Sequence, residues 1–401
     1  MQTTDYLIIG AGIIGLTVAR ELQRRDPGAR VTVIDKEPTP GRHASGRNSG
    51  VLHSGIYYTA DSLKARFARD GNAAWQAYCE ERGLPLDRCG KLIVARNEDE
   101  HARLATLEER GAANGVEVQR LDEAETRAIE PRARTVGHAL FVPSTATVDP
   151  NRLVAAQQAD FTAAGGTLLC GHPYRGHRGD NTVQAGHERI RAGTVINCAG
   201  LYADRVAHDF GFGQRYTLLP FKGLYRYADP GTEAPRTHIY PVPDLRHPFL
   251  GVHFTRTVDG RTKIGPTAIP ALWREHYGGI SGFQIRELFD VAGRELHMLA
   301  TNRNDFRTLA RHELRKQRRT HMVADAATLL EGAKAMGFHR RGQPGIRAQL
   351  VERDSNRLVM DFVIEGDAKS VHVLNAVSPA FTCAIPFARH VVDCLISGLE
   401  S

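Results

Sequence analysis

A glycine motif close to the N-terminus limits the fold of this chain more than any other segment. Gly10-Ala-Gly12-Ile-Ile-Gly15 is a GxGxxG set between an apolar run and a helix-like stretch. Tyr6-Leu-Ile-Ile9 before it reads as a buried strand. Residues 13–25 after it place apolar groups at helical spacing and stop before Pro27. Arg30-Val-Thr-Val-Ile34 reads as a second buried strand. Strand, turn, helix and strand together have the size of a βαβ unit. In such a unit the first glycine permits the turn, and the second lets backbone approach a pyrophosphate. The third lets helix and strand close up, and the helix N-terminus faces the phosphates. Asp35 follows Gly15 by 20 residues, where an acid accepts a hydrogen bond from a ribose hydroxyl. The reading is a dinucleotide site built from Gly10, Gly12, Ile14, Gly15, Asp35 and Lys36, in preference to a glycine-rich turn that binds nothing.

Composition narrows the class. A chain of 401 residues exceeds one ordinary core, so two domains are expected. With 42% hydrophobic and 24% charged residues it is globular, which excludes a disordered, collagen-like or coiled-coil chain. No stretch reads as both apolar and long enough to span a bilayer, and the first residues show no basic-then-apolar leader. The cysteines at 79, 89, 170, 198, 383 and 394 form no CxxC pair. That argues against a zinc site, a thioredoxin motif or a disulfide framework. No metal is expected, and a reducing cytoplasm is the expected location. A net charge of +7 suits anionic metabolites, anionic lipid or nucleic acid. Without zinc-finger spacing or an aromatic RNA-binding strand, nucleic acid ranks last.

Helical and strand patterns alternate along most of the chain. Helices are expected at about 61–82, 98–114 and 151–164, with Asp122 and Glu125 as a capping box for a short helix between them. Strands are expected at 91–95, 167–170 and 194–198. From about 215 prolines cluster and the strands look antiparallel, with a turn at Asp259-Gly260. A basic helical stretch covers 281–341, and the last helix covers 379–396. The order predicts a nucleotide domain from 1–83, 143–214 and 341–401, and an inserted domain from 84–142 and 215–340.

The loop Gly41-Arg-His-Ala-Ser-Gly-Arg-Asn-Ser-Gly50 is dense in small side chains and backbone amides, and Arg42 and Arg47 can offset phosphate charge. A flexible surface loop would show a similar composition. Read onward, His43-Ala-Ser-Gly-Arg-Asn-Ser-Gly-Val-Leu-His-Ser-Gly-Ile-Tyr-Tyr58 and Ser62-Leu-Lys-Ala65 resemble the signature of L-2-hydroxyglutarate dehydrogenases and oxidases. These belong to the FAD-dependent, D-amino-acid-oxidase-like superfamily. Cys89-Gly-Lys-Leu-Ile-Val-Ala95, Ile239-Tyr-Pro-Val-Pro-Asp244, Pro248-Phe-Leu-Gly-Val-His-Phe-Thr-Arg256, Ile264-Gly-Pro266, Gly345-Ile-Arg-Ala-Gln349 and Asp361-Phe-Val363 extend the likeness over nearly the whole chain. The resemblance implies an α/β fold, with a Rossmann-like FAD-binding domain of the glutathione-reductase type. The inserted α+β substrate domain would be built on a mostly antiparallel sheet. It implies noncovalent FAD, a 2-hydroxy acid or diacid as substrate, and oxygen or quinone as electron acceptor. Ser45, Arg47, Asn48, Ser49, Gly50, Ala199, Gly200, Asp204, Arg347, Asn375, Ser378, Pro379 and Ala380 are the further residues expected around the cofactor. The chain departs from the family pattern at Pro143-Ser-Thr-Ala-Thr-Val-Asp-Pro150, at Asn375-Ala-Val-Ser-Pro-Ala-Phe381, and at Lys222 and Leu224. These departures bear on the substrate.

Oxidising a 2-hydroxy acid requires a base for the hydroxyl proton and a cation for each carboxylate, while the cofactor carries the redox chemistry. His53, just beyond the glycine loop, is the expected base. Arg347 is the expected carboxylate clamp, since a guanidinium binds a carboxylate bidentately. It can equally serve the cofactor. Arg256, His253 and Tyr240 are further candidates, with Tyr57 and Tyr58 as phenol donors. Strand alternation sets His253 and Thr255 on one side, with Phe254 and Arg256 on the other. Ser378 is expected to cap the last helix, with Pro379 as its first residue. Arg303, Arg307, Arg311, Arg315, Lys316, Arg318 and Arg319 form a basic run, read first as a solvated face and second as a peripheral membrane patch. A flavin-containing sensor without turnover is the reading from another class.

Overall fold

The computed structural model describes residues 1–244, 250–302 and 306–398. Arg303 of the basic run, and Pro248 and Phe249 of the family-like segment, lie outside the described residues. The chain divides into two compact units. The first comprises Met1–Asn48, Pro150–Pro220 and Arg347–Ser401, and the second Ser49–Asp149 and Phe221–Ile346.

In the first unit the apolar runs become a parallel sheet. Gln2–Ile9 lies between Glu188–Asn197 and Val31–Asp35, with Thr167–Cys170 beyond the latter. Ser370–Asn375 adds a parallel strand beside Glu188–Asn197. Tyr174–His177, Thr182–Ala185 and Val363–Gly366 extend the sheet antiparallel. Leu7, Ile8, Val33, Ile34 and Val195 are buried, as strands covered on both faces must be. The helix Ile13–Arg25 buries Leu16, Val18, Ala19 and Leu22, and packs on the helices Pro150–Ala163 and Ala380–Ser397. Ala380–Ser397 corrects the bilayer expectation, because by length and composition it is apolar enough to cross one. Half of it is buried among its neighbours, Cys383, Ala384, Phe387 and Val391 included, so in this structure it is a core helix of the unit. Its start differs from the expected cap. Pro379 is the N-cap, Ala380 the first helical residue, and no side chain caps it.

The first boundary falls at 48/49 rather than 83/84. Val51–Leu52 pairs with Ala146–Val148, and Asn72 of the helix Leu63–Glu81 donates to the Leu52 carbonyl at 2.8 Å. Ile56 and Tyr57 share a core with Ile93, Leu104, Leu107 and Tyr240. These partners all belong to the second unit, which short-range periodicity cannot reveal. The other boundaries lie a few residues beyond those expected.

The second unit carries an eight-stranded sheet among the described residues. Its order is Arg340–Arg341, Arg226–Tyr227, Thr262–Gly265, His253–Arg256, His238–Pro241, Lys91–Val94, Ala139–Val142 and Gln119–Leu121. Every pairing is antiparallel except that of His238–Pro241 with Lys91–Val94. The expected turn is present, with Thr257 N–H donating to the Arg261 carbonyl at 2.8 Å around Gly260. Register separates the two faces. Leu92, Ile239, Phe254 and Ile264 stand in line and pack on Met322, Val323 and Ala326 of the helix Arg319–Ala326. Alternation turns Lys91, His238, Tyr240, His253, Thr255 and Lys263 to the opposite face. The capping box is as expected: Asp122 accepts from the Glu125 N–H at 2.8 Å, and Glu125 from the Asp122 N–H at 2.9 Å.

Candidate functional site

The glycine motif makes a cradle that side chains would fill. Gly10 has φ +109°, and a Cβ there would lie 2.5 Å from the Cys198 carbonyl oxygen. A Cβ on Gly15 would lie 1.9 Å from the Gly10 carbonyl oxygen, so helix and loop approach as only glycine allows. Ser45 Oγ accepts the Ile13 N–H at 2.9 Å, at the N-terminus of the first helix. Asp35 accepts the Ala11 N–H at 2.7 Å through one oxygen and the Glu37 N–H at 2.8 Å through the other. The acid thus fixes the turn and still has lone pairs for a ribose hydroxyl. Lys36 pairs with Glu37, whose carboxylate also meets His43 Nε2 at 3.0 Å.

Other expected cofactor residues are engaged by the protein itself. Arg47 Nε donates to the Arg42 carbonyl at 2.7 Å, and Asn48 to that of Ser45 at 2.6 Å. Asp204 is buried and accepts the Leu218 N–H at 3.0 Å. Asn375 is buried, donating to the carbonyls of Val359 and Asp361 at 3.1 and 2.6 Å. Asp204 and Asn375 make these contacts to hold strands and helix ends in place. Ala199 N–H is held by Asn197 at 3.1 Å, and Gly200 has φ +55° at the turn that follows. In the second unit, Ser49 accepts the Val51 N–H at 3.3 Å and the Gly50 carbonyl takes the Val148 N–H at 2.8 Å.

The polar face of the second unit gathers ionisable groups. His53 follows the strand Val51–Leu52. Part of its surface is open, yet the protein around it, and then the charge of Lys91, hold its pKa down to about 3. It is therefore a neutral imidazole across the physiological range, and a weaker base than the near-neutral histidine expected from the sequence. His253 stacks on Tyr240 with ring centroids 3.7 Å apart, and its Nδ1 lies 3.0 Å from the Gly251 carbonyl. His238 Nδ1 accepts the Arg256 N–H at 3.2 Å, which leaves Nε2 to donate toward Cys89 Sγ at 3.4 Å. Burial and the nearby Lys91 hold His238 down to about 3, so it is a neutral structural histidine.

Lys91 is the residue that sequence reasoning did not single out. It is fully buried, and its Nζ has no hydrogen-bond partner among the described residues. The ammonium lies over the rings of Tyr57 and Tyr240, 4.5 and 5.4 Å from their centroids. Both phenol oxygens are also buried; that of Tyr57 has no hydrogen-bond partner among the described residues, and that of Tyr240 lies beside the Thr255 hydroxyl. Burial brings Lys91 down to about 7, which withdraws on the order of 5 kcal/mol of stability at neutral pH. Two ring faces return about 1–4 kcal/mol. Each unsatisfied phenol costs about 1–3 kcal/mol more. The signal was present in Lys91-Leu-Ile-Val-Ala95, a cation heading an apolar run whose alternation puts it inside.

Arg256 does not join this group. Its side chain leaves the face opposite to His253, as alternation predicts, and bonds Asp87 at 2.8 Å and the Pro235 carbonyl at 3.3 Å. Arg347 begins the last segment of the first unit, on the strand Gly345–Glu352. Among the described residues of the basic run, Arg307, Arg311, Arg315 and Arg318 are exposed, as the solvated-face reading expects, and Lys316 is the exception. Lys316 is buried against Glu313 at 2.6 Å, Arg307 donates to the carbonyls of Leu299 and Ala300, and Arg319 to that of Gly337. A groove lined by Pro270, Leu272, Glu295, Leu299, Arg311 and Leu314 contains none of the expected site residues.

A glycine cradle at the first strand–helix turn of a parallel sheet defines a dinucleotide-binding architecture. The chain belongs to the FAD dependent oxidoreductase family, whose model it matches over residues 5–394. It is 36% identical to the L-2-hydroxyglutarate dehydrogenase of Escherichia coli strain K12, over 97% of this chain and 92% of that protein. It is 35% identical to the mitochondrial L-2-hydroxyglutarate dehydrogenase of Homo sapiens, over 97% and 88%. Among solved structures, reduced L-alpha-glycerophosphate oxidase from Mycoplasma pneumoniae with FAD bound is similar. The TM-score is 0.77 at 22% identity, covering 99% of this chain and 95% of that one. Glycine oxidase from Geobacillus kaustophilus gives 0.74 at 19%, also over 99% and 95%. FAD is the cofactor of this oxidoreductase, and the cradle at Gly10, Gly12 and Gly15 fits its pyrophosphate.

Proposed function

We propose that the protein oxidises L-2-hydroxyglutarate to 2-oxoglutarate. The observation that carries this reading is the identity with L-2-hydroxyglutarate dehydrogenases along 97% of the chain. The first unit acts as an FAD-binding domain of the glutathione-reductase type holding the cofactor noncovalently, and the second presents the substrate-binding face. FAD held at Gly10, Gly12 and Gly15 would supply the redox chemistry, a hydride acceptor for C2 with oxygen or a quinone as the final electron acceptor. An imidazole nitrogen of His53 accepts the hydroxyl proton, for which its neutral state is required. Arg347 holds a carboxylate through its fork of N–H donors. Tyr240 and His253 shape the same face as His53. A different 2-hydroxy acid or an amino acid is the second reading, since the resemblance to the family breaks at Phe381 and Lys222, both of which are half-buried.

Anaerobic titration tests the substrate. L-2-hydroxyglutarate should bleach the flavin spectrum rapidly, while the D isomer and a panel of amino acids should not. If another acid bleaches it and L-2-hydroxyglutarate does not, the substrate reading is lost and the family stands. Admitting air afterwards separates oxygen from quinone as the acceptor. Replacing Arg347 by Lys should raise KM by about 10²-fold, as one bidentate, charge-assisted contact is lost. An unchanged KM would remove Arg347 from the site.

A further inference from the structure

We propose that Lys91, with the phenol groups of Tyr57 and Tyr240, is the seat of the substrate's second carboxylate and selects dicarboxylic over monocarboxylic acids. The proposal rests on the reading of the protein as an oxidoreductase of a 2-hydroxy diacid. Its basis is a set of three buried donors on one unit. Lys91 stands at the head of Lys91–Val94, in register with His238 of the neighbouring strand. Tyr240 lies two residues further along that neighbour, on the same face. Tyr57 reaches Lys91 from the segment after Val51–Leu52, so its ring and that of Tyr240 both bear on the ammonium. Lys91 Nζ and the Tyr57 hydroxyl have no hydrogen-bond partner among the described residues, and the Tyr240 oxygen has only the neighbouring Thr255 hydroxyl, which donates to it and leaves the phenol hydrogen free to bind an anion.

An ammonium and two phenols supply donors and no negative charge. A carboxylate accepts up to about four hydrogen bonds and carries one negative charge, so one carboxylate offers an acceptor to each of the three groups and neutralises the cation. A metal cation would be repelled by Lys91, and an apolar ligand would leave all three donors unsatisfied. Ring faces alone can hold a lysine, but they leave the two phenol hydrogens without an acceptor. The ring contacts therefore position the ammonium, and the anion completes it. Pairing among buried groups makes each of these hydrogen bonds stronger than its counterpart at a surface.

The test is equilibrium binding to the FAD-loaded protein by calorimetry, with glutarate and butyrate as non-reacting probes. The unaltered protein should prefer glutarate, and Lys91→Met should weaken glutarate by about 100-fold or more while leaving butyrate nearly unchanged. Tyr57→Phe and Tyr240→Phe keep the rings and should each weaken glutarate by about 5- to 30-fold. The flavin content of all three variants should match the unaltered protein. In the absence of any acid, Lys91→Met should melt at a higher temperature, because a buried cation has been removed. Equal losses for both probes would overturn the assignment to the second carboxylate. Unchanged glutarate affinity with lost turnover would overturn the seat altogether and assign Lys91 to proton transfer. No glutarate binding by the unaltered protein would also overturn it. These outcomes are separate from the substrate reading, since a failure of L-2-hydroxyglutarate to bleach the flavin leaves glutarate binding measurable.

Discussion

A lysine in a β-strand ordinarily keeps its amine in water while its stem covers apolar neighbours. Lys91 does the reverse, and its pH behaviour follows. Folding lowers its pKa from 10.5 to about 7, so between these values the unfolded chain binds more protons than the folded one. Stability from this residue is therefore recovered as pH rises across that window. The melting-temperature gain of Lys91→Met should be largest at or below pH 7 and shrink toward pH 10, as read by scanning calorimetry. The same titration bears on catalysis. His53, His238, Tyr57 and Tyr240 face Lys91, and Lys263 lies on the same sheet face. The two histidines stay neutral from pH 5 to 9, because both are held near 3, and burial raises the tyrosines. Burial brings Lys263 to about 8. The ratio kcat/KM for a diacid should therefore fall above about pH 7, steepening near 8. It should show no acid limb from His53 above about pH 4. Replacing His53 by Asn should lower kcat by about 10²–10⁴-fold without loss of flavin, measured by steady-state rates and the visible spectrum.

At the scale of elements, local chemistry was legible and pairing was not. Asp122 and Glu125 could be read as a capping box because both partners lie three residues apart. Asp122→Ala should cost about 1 kcal/mol of stability with kinetics unchanged, checked by urea melts. Gly15 was legible for a similar reason, since the spacing of glycines is itself the signal. A Cβ at Gly15 falls 1.9 Å from the Gly10 carbonyl oxygen, so Gly15→Ala should push the helix off its strand. The expected result is a purified chain with little bound flavin, seen in the ratio of visible to ultraviolet absorbance. Alternation along His253–Arg256 correctly separated Arg256 from His253. It could not say which face was polar, because that depends on the helix Arg319–Ala326 packing on Leu92, Ile239 and Phe254. Asn375 and Asp204 were expected beside the cofactor from motif position alone. Their partners, Val359, Asp361 and Leu218, are carbonyls and an amide that no motif names. Ser378 precedes a proline that takes the cap position itself, so its hydroxyl has no helix end to serve.

For the whole molecule, chain length implied two bodies, the chain divides into two compact units, and the glycine motif lies in the first. It could not place 49–83, whose partners include Ala146–Val148, Ile93 and Tyr240, residues far away in sequence. In the basic run the exposed Arg307, Arg311, Arg315 and Arg318 agree with the spacing, while the burial of Lys316 against Glu313 was not legible from it. The first unit is assembled from three separated segments. Its last contributions are Ser370–Asn375, which joins the parallel sheet, and Ala380–Ser397, which covers the first helix. On a ribosome, residues 2–9 therefore emerge with their glycine loop hundreds of residues before the strand and helix that enclose their unit. Every residue of the second unit has been made by 346, while the cofactor unit still lacks its last segment. Flavin loading is consequently a late event of biosynthesis, and a chain terminated before Ala380 would be released colourless.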